Sequence, residues 1–156
     1  MKPERITNEQ LVYYRGVLYP AITICYMCHD GNGNYLMNKR SVQCSDEHGA
    51  WDFGGGRVEL GDSVEFTVRK ELQEEYGVQP VAMKFLGYHD LFRHNVDKGR
   101  THWLCMIFLV QVDPGQVVNN EPHKFEELKW VRLDSLPGPL HPLALIEIEM
   151  LRQRTT

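Results

Sequence analysis

Residues 54–78 read GGGRVELGDSVEFTVRKELQEEYGV, and the reading of this stretch decides the fold. Three glycines lead through a polar turn into a segment with helical periodicity. At about 100° per residue, Val64, Val68 and Leu72 fall on one apolar stripe. A helix is expected over residues 62–76. Asp62 or Ser63 suits its N-cap, and Asp62 with Glu65 forms a capping-box variant. Gly77 supplies the left-handed residue that ends it. Glu71, Glu74 and Glu75 occupy an arc at the margin of the stripe. Glu71 and Glu75 are like charges four residues apart, which weakens a helix, while Lys70 at the same spacing steadies Glu74. Three such carboxylates make sense against a cation. Hard cations such as Mg²⁺ take oxygen ligands and bind through one or two carboxylates together with substrate phosphates. A solvated acidic face and a plain tight turn are the bland readings of the two halves. Their adjacency favours a site for metal-assisted phosphate chemistry, because glycines admit close approach of a ligand.

Working outward, residues 17–28 (VLYPAITICYMC) are apolar and β-prone, and DGNGN at 30–34 turns the chain into a returning strand that ends at Arg40. Residues 41–50 make a loop, and Trp51–Phe53 a short strand entering the glycines. Segments 82–91 and 101–113 read as strands joined by the polar RHNVDKGR. Asp113-Pro-Gly is a turn, and 127–133 is a strand. Prolines 137, 139 and 142 mark a break before a last helix over 143–154, with Leu143, Ile146, Met150 and Leu151 facing inward. This order is α/β without a regular βαβ repeat, so a mixed sheet between helices is expected.

The 156 residues are 42% hydrophobic and 24% charged, enough for one domain with a real core. A net charge of −4 without a basic run argues against a nucleic-acid or membrane-surface binder. No apolar stretch has the length of a membrane span, and the polar MKPERITNEQ does not read as a signal peptide, so a cytoplasmic location is expected. Cys25 and Cys28 form a C-x-x-C, but inside a strand, where residues three apart point to opposite faces. Small apolar strand residues are the preferred reading.

The 56–78 segment resembles the signature of the Nudix hydrolases, G-x5-E-x7-R-E-U-x-E-E-x-G-U with U apolar. Gly56, Glu71, Leu72, Glu74, Glu75, Gly77 and Val78 match it. Asp62 stands at the glutamate and Lys70 at the arginine, and both departures keep charge. TrpAspPheGly at 51–54 and LysTrpValArgLeuAspSerLeuPro at 129–137 also resemble stretches common in the family, although Gly54 replaces a frequent proline. The resemblance implies a single Nudix domain over 1–156. Its fold would be an α/β/α sandwich with a mixed β-sheet and a catalytic loop-helix-loop.

It further implies that Glu71, Glu74 and Glu75 hold Mg²⁺ or Mn²⁺, joined by a carbonyl of Gly55 or Gly56, with Glu59, Asp62 and Lys70 in support. Asp62 is one methylene shorter than glutamate and loses reach toward a metal, and Lys70 lacks arginine's bidentate fork. The proton acceptor would be Glu71, Glu74 or an acid of the 119–127 loop: Glu121, Glu126 or Glu127. Arg40 and Glu126 are candidate substrate contacts. Tyr88, Phe92 and Trp103 suit base stacking, with core packing the commoner use.

Implied by resemblance, the reaction is hydrolysis of a nucleoside diphosphate linked to another group. The leading expectation is a (d)NTP pyrophosphohydrolase giving NMP and pyrophosphate, oxidised nucleotides included. A nucleotide sugar, ADP-ribose or a dinucleoside polyphosphate is the alternative, and a non-catalytic nucleotide sensor the third. The expected partner is a small nucleotide, with no nucleic acid or membrane, and a homodimer is left open.

Overall fold

The computed structural model describes residues 5–155, so the N-terminal stretch read above lies partly outside the described residues. Helix α1 (Asn8–Tyr14) precedes strands β1 (Ala21–His29), β2 (Tyr35–Arg40), β3 (Trp51–Asp52) and β4 (Gly54–Arg57). Helix α2 (Val64–Tyr76) is followed by β5 (Ala82–Asn95), β6 (Gly99–Gln111), a 3₁₀ turn at Pro114–Gln116, β7 (Phe125–Val131) and α3 (Pro142–Thr155). The seven strands form one mixed sheet in the order β3-β2-β1-β6-β5, with β4 also pairing β1 and β7 also pairing β2. β1 and β6 run parallel, and the other pairings are antiparallel.

Alternation along β1 splits the interior into two cores. Ile24, Tyr26 and Cys28 join Val68, Leu72 and Tyr76 of α2 on one face. Cys25 and Met27 join Leu143, Ala144, Ile148 and Leu151 of α3 on the other. Cys25 and Cys28 thus lie on opposite faces, as a strand requires, and all four cysteines are free. The α/β/α expectation holds.

Several boundaries differ from the sequence reading, each for a physical reason. α2 begins at Val64 rather than Asp62, because Ser63 is its N-cap and accepts the Phe66 N–H. Gly77 closes it in the left-handed conformation, with φ of 66°. The glycines expected to form a loop are instead strand β4, held by the ladder to Thr23–Tyr26. The β5–β6 hairpin runs through most of the expected connector, because the Asn95 side chain accepts the Asp97 and Lys98 N–H groups and closes a short tip. β7 starts two residues early, at Phe125, where pairing with Arg40 begins. α1 had no counterpart in the reading, yet Thr7 and Gln10 form a full capping box at its start. On α3, Leu143 and Leu151 face inward as expected, but Ile146 and Met150 only border the core, and Ala144, Glu147 and Ile148 fill the stripe.

Candidate active site

α2 lies across β4 so closely that a Cβ on Gly56 would sit 2.2 Å from the Glu71 carboxyl carbon. Any side chain at 56 would therefore displace Glu71. The glycine is needed for close approach, not for a loop. The Gly56 carbonyl, expected near a metal, accepts a 2.8 Å hydrogen bond from the Thr23 hydroxyl. The Gly55 N–H points at Glu75 Oε2 at 3.4 Å.

The three glutamates differ sharply in environment. Glu74 is exposed and Glu71 half-buried, whereas Glu75 is only 3% exposed. Burial, with the Glu71 charge beside it, pushes the Glu75 carboxyl up to about 8, although its bond from Tyr26 and the Lys124 charge pull the other way. Burial and the neighbouring Glu74 also raise Glu71. The Tyr26 hydroxyl donates a short hydrogen bond to Glu75 Oε2.

The last-turn carbonyls of α2 dock the following loop. Asn120 N–H bonds Glu75 O at 3.1 Å, Val118 N–H bonds Tyr76 O at 3.0 Å, and the Asn120 amide bonds Gln73 O at 3.1 Å. This docking brings Glu121 and Lys124, paired at 2.8 Å, into the field of Glu71 and Glu75. Burial works against the Lys124 charge, but Glu121 and the two helix carboxylates outweigh it and raise its pKa.

The other expected site residues lie elsewhere. Asp62 does not cap α2; it pairs with Lys70 at 3.1 Å, so the two departures from the signature meet each other. Lys70 therefore takes Asp62, not Glu74, as its partner. Glu59 is gripped by the two terminal guanidinium nitrogens of Arg15, at 3.1 and 2.7 Å, which holds its carboxyl below the usual range. Arg40 is occupied by Asp46 at 2.7 Å and Asp52 at 3.4 Å. Glu126 pairs with Lys39 on the surface, so Glu121 is the loop acid whose charge reaches the helix carboxylates. Tyr88 and Phe92, expected in the core, are 62% and 66% exposed on edge strand β5. Sequence reasoning missed Lys124 and Tyr26. The Glu-x-x-Lys spacing of 121–124 was a usable signal for the first; nothing marked the second.

A family model described as the NUDIX domain matches residues 18–153. The chain belongs to the Nudix family. It is 27% identical over 133 residues to an ADP-ribose pyrophosphatase of Methanocaldococcus jannaschii, covering 85% of this chain and 73% of that one. It is 30% identical over 112 residues to the nucleoside triphosphatase NudI of an Enterobacter species, covering 67% and 77%. In structure it resembles a MutT Nudix hydrolase from Burkholderia pseudomallei, with a TM-score of 0.75 and 28% identity over 85% of this chain and 98% of that one. The Nudix chain is accordingly a hydrolase acting on phosphoric anhydrides of nucleoside diphosphate derivatives.

Nudix hydrolases use divalent metal ions. Among the described residues no three His, Cys, Asp or Glu side chains already converge into a metal cage. The donor chemistry nevertheless fits. Two acids of one helix turn, Glu71 and Glu75, are raised by burial and by a neighbouring carboxylate, Glu74 for the first and Glu71 for the second, a cost that a bound divalent cation would relieve. Among the described residues no helix is long and apolar enough to cross a membrane.

Proposed function

We propose that this Nudix hydrolase is a Mg²⁺-dependent nucleoside triphosphate pyrophosphohydrolase, releasing NMP and pyrophosphate, with Mn²⁺ as a second competent metal. The observation that carries the reading is the carboxylate row of α2 set against the β4 backbone, with Glu75 buried and Glu71 half-buried. Glu71, Glu74 and Glu75 would hold the metal, which supplies charge neutralisation on the phosphates and a more acidic bound water. Glu71 is the proposed proton acceptor, since it stands half-buried against the Gly56 backbone, beside the acids that would hold the metal. Lys124 contributes a part-buried positive charge that neutralises phosphate oxygens. The Asp62–Lys70 pair keeps Lys70 beside this row without spending its charge on Glu74. Support for a triphosphate comes from the NudI relative.

The ADP-ribose pyrophosphatase relative, matched over more of the chain, favours a second reading in which the linked diphosphate is ADP-ribose. One panel separates them. The purified protein with Mg²⁺ is offered nucleoside triphosphates, ADP-ribose, nucleotide sugars and dinucleoside polyphosphates, and products are identified by mass. NMP with pyrophosphate supports the first reading, and AMP with ribose phosphate the second. Glu74→Gln and Glu75→Gln each lower turnover by orders of magnitude. A wild-type protein inert to the whole panel, yet binding nucleotide tightly, would be a sensor and would sink both readings.

A further inference from the structure

We infer that Tyr26 is a positioning residue for Glu75, and that Gly54 is the vacancy its ring requires. The inference rests on the proposed metal-binding role of the α2 carboxylates and deepens it. Tyr26 lies in the centre of β1, fully buried, and is the register partner of Gly54 on β4. A Cβ on Gly54 would fall 2.2 Å from Tyr26 Cε2, 2.5 Å from Cζ and 2.8 Å from Oη. The ring therefore occupies the volume that any side chain at 54 would fill. This accounts for the one place in the glycine row where the chain lacks the family's frequent proline: a side chain at 54 and a tyrosine at 26 are sterically exclusive.

The space is used to deliver a hydroxyl. The Tyr76 ring stands edge-on to Tyr26, with centroids 6.1 Å apart and planes at 89°, and fixes its orientation. Tyr76 is itself anchored by a 2.8 Å bond from the Asn38 amide, which also bonds Phe53 O at 3.1 Å. The single donor of Tyr26 goes to Glu75 Oε2, the oxygen that also receives the longer contact from Gly55 N–H. Both bonds fall on the same oxygen, so Oε1 is left without a hydrogen bond among the described residues. An outer partner that pins one oxygen of a ligating carboxylate fixes the direction of the other, and losing such a partner typically weakens metal affinity about 10- to 100-fold. A phenol donor suits this task, because it is neutral and adds no charge to repel the cation.

Tyr26→Phe keeps the ring, the packing and the gap at Gly54, and removes only the donor. Titration of metal-free protein with Mn²⁺, followed by electron paramagnetic resonance, should show affinity at least 10-fold weaker than wild type. Turnover at low Mn²⁺ should fall and recover as Mn²⁺ is raised, a rescue that general loosening of the core would not give. Gly54→Ala should weaken binding to a similar degree in the wild-type background, and add nothing in a Tyr26→Ala background. The folded wild type gives an independent readout: Mg²⁺ should produce a tyrosine difference spectrum that Glu75→Gln abolishes, which holds the test open should Tyr26→Phe not fold. Mn²⁺ affinity unchanged in Tyr26→Phe, or no tyrosine signal in the wild type, overturns the positioning role while the proposed function stands. A wild type that binds no Mn²⁺ and hydrolyses nothing overturns both.

Discussion

Glu147 is the least comfortable residue in the molecule. It is 1% exposed, and neither carboxylate oxygen has a well-formed hydrogen bond among the described residues. Burial, with Asp52 and Cys105 nearby, pushes its carboxyl far above the ordinary value, and the Cys25 thiol, a weak donor, offsets little of this. The fold thus carries a proton on Glu147 that the unfolded chain releases above about pH 4.5. Because the native state binds more protons, this residue's contribution to stability falls as pH rises, by about 1.4 kcal/mol per pH unit while it stays protonated. Asp52 and His141 nearby shift in opposed senses, to about 6 and about 4. The Asp52 contribution falls with rising pH up to about 6, and that of His141 grows up to about 6.5, so the two largely offset. Glu147→Gln should therefore match wild-type stability near pH 4.5 and exceed it by a growing margin as the pH rises above that value. Urea melts at several pH values measure the difference, and a gap that does not change with pH would refute the account.

At the scale of elements, α2 owes its start to Ser63 and not to Asp62. Ser63→Ala should cost about 1 kcal/mol by removing the cap on Phe66 N–H. Asp62→Ala should cost less, since its bond to Lys70 is an ion pair with both side chains more than a quarter exposed, and such pairs contribute about 0–1 kcal/mol. Denaturant melts that rank the two variants the other way would reinstate Asp62 as the cap. The helix itself was legible because Val64, Val68 and Leu72 keep its period, and the family pattern was legible because Glu71, Glu74, Glu75 and Gly77 keep its spacing. α1 was not, because the helix buries no residue and so shows no apolar stripe. β4 was hidden by composition: glycines have low strand propensity, and only the ladder to Thr23–Tyr26 makes them a strand. Spacing alone could not choose Glu121 over Glu126, because the choice is made by the loop's bonds to the end of α2. Tyr26 read as one more apolar strand residue, since its hydroxyl partner is 49 positions away.

Across the whole molecule, the core and the site share one helix. Val68, Leu72 and Tyr76 bury one side of α2 against the sheet, and Glu71 and Glu75 alternate with them in sequence. The carboxylates therefore cannot be released without opening a core, so a ligand of these groups should stabilise the domain globally and not just a local segment. A ligand that binds only the native state stabilises it by about 2.7 kcal/mol at 100 times its Kd. For a domain of this size that corresponds to a rise in Tm of roughly 5–10 °C. Saturating Mg²⁺ should produce such a shift in a calorimetric melt as one displaced transition, and chelation should reverse it. Glu75→Gln should remove most of the shift while raising the metal-free Tm, because an amide avoids the burial cost that lifts the carboxyl to about 8. Leu72→Ala should lower both the metal-free and the Mg²⁺-bound melts, consistent with a cost of about 2–5 kcal/mol, and leave the gap between them nearly intact. Loss of that gap in Leu72→Ala would mean that the metal responds to core packing itself, and a Mg²⁺ shift undiminished in Glu75→Gln would remove that residue from the metal site.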